Sequence, residues 1–132
     1  MIYAERFSYK TTIKTLDMVE ERDEEKTIED VVVGFIHMEK EDEENMEKVE
    51  TKLIKNLKWA AKKNNTDRIV LHSFAHLSES KGDPLFTKRL LDNAEVRLKN
   101  AGYTTWQTPF GYFLDLDMKA PGRSLARVFK AF

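Results

Sequence analysis

An α/β fold is what this sequence predicts: a small single domain over residues 1–132, with a mixed β-sheet, two main helices and a short C-terminal helix. Three observations carry that expectation. Val31-Val32-Val33-Gly34-Phe35-Ile36-His37-Met38 is an almost unbroken β-branched and apolar run, the pattern of a central strand buried on both faces. An amphipathic helical stretch and a second short apolar run, Arg68-Ile69-Val70-Leu71-His72, follow it; that order implies a right-handed crossover between parallel strands. A second helix is punctuated at both ends, by Asp83-Pro84 and by Gly102.

Taken in order, Ile2 to Tyr9 reads as a first strand and Thr11 to Met18 as a second, with Ile13 and Leu16 as its apolar points. Glu20-Glu21-Arg22-Asp23-Glu24-Glu25-Lys26 reads as an exposed connection before the central strand. The first helix spans roughly Asn45 to Asn64: Val49, Leu53, Ile54, Leu57, Ala60 and Ala61 recur at three- and four-residue steps, giving one apolar stripe. Lys52, Lys55, Lys58, Lys62 and Lys63 occupy much of its remaining surface. In the second helix Leu90, Leu91, Ala94 and Leu98 form the inward stripe. Tyr103 to Thr108 and Tyr112 to Met118 read as strands separated at Pro109. Ser124 to Phe132 reads as the terminal helix, with Leu125, Val128 and Phe129 inward.

Composition bounds the function. A chain of 132 residues, 41% hydrophobic, can bury a core without staples, and the absence of cysteine excludes a disulfide scaffold, a cysteine zinc site and a thiol nucleophile. The amino terminus has no apolar signal core and no run approaches the ~20 residues of a membrane span, so a soluble cytoplasmic protein is expected. The net charge of −1 hides an asymmetry: Asp17 to Glu50 holds fifteen acidic and four basic residues, whereas Thr51 onward holds seven acidic and fifteen basic. Such a division can mark a surface that meets an anionic partner, or can reflect solvated faces of a heat-adapted protein.

Standard catalytic motifs are missing: no GxGxxG, phosphate loop, GxSxG or HExxH occurs. The three histidines do not suggest a metal site. His72 and His76 are four apart, but the strand at His72 breaks the helical geometry that would align them, and His37 reads as a hydrogen-bonded core histidine. Two segments suit a site by their residue types. In Ser73-Phe74-Ala75-His76-Leu77-Ser78 a buried strand breaks into a loop carrying an aromatic, a small residue, a titratable ring and hydroxyls, at the strand end where α/β folds place ligands. In Pro109-Phe110-Gly111-Tyr112-Phe113, proline and glycine bracket an aromatic, giving a rigid turn. Either segment alone is also compatible with a packed turn, and His76 with a capping role.

In combination and at this spacing, Val32 to Ile36 before a Glu/Lys-rich helix, then Phe74-Ala75-His76-Leu77-Ser78, then Pro109-Phe110-Gly111-Tyr112, the chain resembles the N-terminal editing domain of archaeal threonyl-tRNA synthetases over roughly Ile2 to Phe129. That family is similar in fold to D-aminoacyl-tRNA deacylases. The resemblance implies hydrolysis of serine wrongly esterified to threonine tRNA, a homodimer, a tRNA 3′ end as partner and no cofactor or metal. It implies service to a synthetase lacking its own editing domain. It maps the pocket onto Ser73, Phe74, Ala75, Pro109, Phe110, Gly111, Tyr112 and Phe113, with His76 near the ribose or the reacting centre.

The sequence departs from the family pattern at four places. Ser73 stands where a proline is usual, Phe113 and Leu114 where a tyrosine and a lysine are usual, and Arg127 at the position aligned with a glutamate. Losing a cation and reversing a charge at a reacting centre costs ~2–4 kcal/mol of barrier for one such group. A silent homologue that binds a tRNA 3′ end, a nucleoside or a partner synthetase is therefore the alternative. The 132 residues leave no room for aminoacylation or anticodon-binding domains, so a free-standing editing factor or an excised domain is expected.

Overall fold

Val31 and Val33 point to one face of a sheet and Val32 to the other, and none of the three has exposed surface. This two-sided burial makes their strand central, as its composition predicts. The computed structural model describes residues 1–132 as a small single α/β domain with five strands, β1 (Ile2–Lys14), β2 (Glu25–Ile36), β3 (Arg68–Ser73), β4 (Thr104–Gln107) and β5 (Tyr112–Lys119). The helices are α1 (Met46–Lys63) and α2 (Pro84–Asn100). The strand order is β4-β3-β2-β1-β5. β2, β3 and β4 run parallel to one another, with Phe35 opposite His72 and Leu71 opposite Gln107, while β1 pairs antiparallel with both β2 and β5. No helix is long and apolar enough to cross a membrane.

Both helices cover one face. Leu53, Ile54 and Leu57 of α1 and Leu90, Leu91 and Leu98 of α2 pack on Val32, Ile36, Ile69 and Leu71. Gly34 permits the close approach of α1, because a Cβ there would stand 2.9 Å from Leu57 Cδ2. The helix punctuation works as expected: Asp83 accepts from Leu85 N–H, Pro84 opens α2, and Gly102 follows its end at φ +93°.

The other face buries Ala4, Phe7, Tyr9, Ile28, Val31, Val33 and Val70, with Trp106 of β4 and Leu114 and Met118 of β5 packed against them. Strands from opposite edges thus share one cluster, and only four residues join β4 to β5. A flat five-stranded sheet would hold its edges ~19 Å apart at ~4.8 Å per strand, so the sheet is curled around this second core.

Two expectations are corrected. Thr11 to Met18 is not a separate strand: β1 continues to Lys14, and β2 begins at Glu25, inside the supposed charged connection. Curling leaves the outer face of this hairpin in solvent, so alternating Phe7, Tyr9 and Thr11 inward suffices to hold a strand otherwise rich in polar residues. Nor does Ser124 to Phe132 form a helix. A single 3-10 turn spans Ser124–Ala126, with Ala126 rather than Leu125 buried, and Phe129 is 69% exposed. The backbone instead pairs with the amino terminus, the Met1 ammonium donating to Val128 O at 2.9 Å and Val128 N–H to Met1 O at 3.0 Å. Asn64 fastens this tail to the end of α1 by donating to Leu125 O and accepting from Arg123.

Candidate functional site

β3 carries its apolar run to Leu71 and then changes character. His72 is 7% exposed, its Nδ1 is 2.8 Å from Thr108 Oγ1, and burial pushes its pKa down to about 4, so the ring is neutral. Phe74 N–H donates to Ile36 O at 2.9 Å, and His76 N–H donates to Phe74 O at 2.9 Å, closing a three-residue turn about the small Ala75. His72 and Phe74 both meet the Phe35 ring, and the turn brings His76 against Phe74. The Phe35–Phe74 centroids are 5.3 Å apart and nearly perpendicular, and the Phe74–His76 centroids are 4.9 Å apart. These are edge-to-face contacts, the favoured arrangement for quadrupolar rings. His76 itself is exposed.

A cavity of about 590 Å³ opens beside Phe74. Its floor is the end of β2 (Gly34, Phe35, Ile36), one wall is α1 (Val49, Leu53, Asn56), another is Leu77 and Ser78 of the loop, and the tail from Arg127 to Phe132 closes the remaining side. Most of this lining is apolar; the polar groups stand at the rim. His37 stitches the rim: Leu77 N–H donates to its Nδ1 at 3.1 Å, and its Nε2 is 2.6 Å from Ser80 O. A backbone N–H can only donate and a carbonyl can only accept, so the ring is the neutral Nε2–H tautomer. Ser78 Oγ donates to Glu39 at 3.1 Å. His37 therefore lies just beyond β2, half-buried and hydrogen-bonded, rather than in the core.

The second segment starts beside the first and leads elsewhere. Thr108 N–H donates to Leu71 O, Pro109 is buried, and Phe110 packs against the helix-side core. Gly111 has φ +81°, its carbonyl accepts from Thr15 N–H at 2.7 Å, and a Cβ there would meet Val19 Cγ1 at 2.9 Å. The Tyr112 hydroxyl donates to Glu20 O and accepts from Arg22 N–H. Gly111 and Tyr112 thus hold the link between β1 and β2, Phe113 is 58% exposed, and Leu114 is packed in the second core.

Of the residues singled out in the sequence, Phe74 and Arg127 line the cavity; Ser73, Ala75, His76 and Pro109 to Phe113 do not. His37 and the tail residues Val128 and Phe132 do line it, and sequence reasoning passed over them as site residues. The one available signal was the apolar, aromatic character of the terminus; the spacing of Leu125, Val128, Phe129 and Phe132 also fits a helical stripe and so points away from a cavity wall.

The arrangement can enclose an apolar or ribose-sized group and orient it with backbone and rim polar groups, beside an exposed imidazole at His76. Comparison with known proteins follows the same line. The family described as the Archaea-specific editing domain of threonyl-tRNA synthetase matches residues 1–132. Among curated proteins, the threonine–tRNA ligase of Methanosphaera stadtmanae is 32% identical over 131 residues, covering 97% of this chain and 21% of its own length. Those of Thermococcus sibiricus and Pyrococcus horikoshii are 31% and 28% identical over the same shares. The chain spans about a fifth of the length of these relatives.

Proposed function

Since the chain belongs to the Archaea-specific editing-domain family of threonyl-tRNA synthetases, we propose that it recognises the aminoacylated 3′ end of a tRNA and hydrolyses serine wrongly esterified to threonine tRNA. The observation that carries this reading is the family match over the whole described chain, together with a cavity at the carboxyl end of β2 beside the Phe74–His76 loop. An aminoacyl ester is already activated, so the site needs to orient a water and hold the acyl and ribose groups rather than supply a strong nucleophile. Backbone donors, the neighbouring ribose hydroxyl and the imidazole of His76 are the groups that do this. Such activity serves in trans a synthetase without its own editing domain, from a cytoplasmic homodimer.

A second reading has its own observation. Leu114 is packed in the second core, and Arg127 stands exposed at the cavity rim without an ion pair. The charged partners usual in the family are thus replaced, which favours a silent module that binds a tRNA end, a nucleoside or a synthetase. Incubating Ser-tRNA(Thr) with the protein tests the first reading: serine is released faster than in buffer, and His76→Ala slows the release. If a panel of mischarged tRNAs keeps its amino acids while an aminoacyl-adenosine analogue shifts the signals of Phe74 and Leu77, the second reading holds instead.

A further inference from the structure

Lys48, Lys52, Lys55, Trp59 and Lys62 follow one another on α1 at steps of four, three, four and three residues, which places them in a single stripe about 21 Å long at 1.5 Å per residue. All five side chains are exposed, Trp59 to 37%. Five lysines elsewhere in the chain are matched with acids: Lys14 with Glu21, Lys40 with Glu43, Lys88 with Asp92, Lys99 with Glu95 and Lys119 with Glu5. The unpaired lysines outside α1 do not fall in line at helical spacing with an exposed aromatic. No lysine of this stripe has a carboxylate partner within 4 Å, so an ion-pair network for heat stability does not account for it. The tail adds cations at its flank. Lys130 Nζ lies 5.9 Å from the centre of the Trp59 ring, and Arg127 and Lys130 both line the cavity, as does Asn56 one turn from Lys52.

We propose that this stripe, with Arg127 and Lys130, is the track along which a single-stranded RNA end runs into the cavity, the lysines contacting phosphates and Trp59 stacking on a base. The inference rests on the proposed recognition of a tRNA end and names the surface that performs it. Two features fit that chemistry. Unpartnered ammonium groups spaced along a line neutralise a linear polyanion, and one exposed aromatic among them supplies the sequence-tolerant stacking that single strands use. An anionic membrane fits less well, because Trp59 is the only apolar group in the stripe and an interfacial helix turns a whole apolar face to the lipid.

The test measures fluorescence anisotropy of a labelled single-stranded RNA ending in CCA, titrated with the intact chain at several salt concentrations. Lys52→Glu/Lys55→Glu is expected to weaken binding at least tenfold and to flatten the log–log salt dependence by about 1.4, from ~0.7 for each of two phosphates no longer neutralised. Trp59→Ala weakens it about tenfold, and Trp59→Phe by less. Lys10→Glu/Lys26→Glu, with the same charge change on the β1–β2 hairpin, shifts binding less than twofold. Equal weakening by both double variants, no weakening by the first, absence of wild-type binding, or tighter retention on phosphatidylserine vesicles than on RNA overturns the proposal. Release of serine from Ser-tRNA(Thr) is scored separately on the same variants at saturating protein. A track that fails while release persists leaves the editing reading intact, and a track that binds without release leaves only the RNA surface.

Discussion

His72 and Thr108 join the two loops of the candidate site: the imidazole Nδ1 is 2.8 Å from the threonine Oγ1 in a position where His72 is almost wholly buried. Both loops start from this contact, one turning to the cavity and the other to the link between β1 and β2.

Burial of His72 sets a pH dependence of stability. The folded-state pKa of His72 is depressed from 6.5 to about 4 by burial, so between those values the unfolded chain binds the extra proton and the folded chain does not. Its contribution is present in full above pH 6.5 and is lost as pH falls toward 4, amounting to about 3 kcal/mol at the lower end. Urea unfolding of the wild type and His72→Gln across this window checks it, and the difference between the two curves narrows by that amount as the pH is lowered.

Gly111 is constrained twice, by φ +81° and by Val19 at 2.9 Å from a would-be Cβ. Gly111→Ala is expected to destabilise by ~1–3 kcal/mol. Adding Val19→Ala recovers the steric part and leaves the backbone part, which a double-mutant cycle in urea resolves.

His37 holds the cavity rim through Leu77 N–H and Ser80 O. His37→Ala removes both bonds, at ~1–2 kcal/mol, and exchange of the Leu77 amide proton quickens while that of the Leu71 amide in β3 does not. Amide exchange followed by NMR distinguishes this local loosening from global unfolding.

Phe74 is half-buried between Phe35 and His76 and lines the cavity. Phe74→Ala is expected to cut affinity for a non-hydrolysable seryl-adenosine analogue about tenfold, ~1.4 kcal/mol. Calorimetric titration reads this directly, with the unfolding midpoint as the control for stability.

The β2-α1-β3-α2-β4 core was legible because its signals are local: a two-sided apolar strand, a 3.6-residue stripe on α1, and Asp83, Pro84 and Gly102 around α2. The long hairpin was not, since a strand exposed on one face tolerates Glu25, Lys26 and Glu29, which look like a loop when read singly. The site was legible only in part. Phe74 stood out by residue type, but the cavity wall contributed by Val128 and Phe132 arises from pairing of Arg127 with Ile2, 125 residues away. No local pattern encodes a contact at that separation. Gly111 and Tyr112 read from the sequence as a turn, yet the partners that hold it are Val19, Glu20 and Arg22 in a segment with no pattern of its own.

The most direct measurement of the central claim is deacylation of Ser-tRNA(Thr) by the wild type beside the Leu114→Lys/Arg127→Glu variant. Editing by this chain predicts that the wild type releases serine well above the spontaneous rate and that His76→Ala reduces that release. Serine retained at the spontaneous rate with the wild type, whether or not the double variant gains activity, contradicts it.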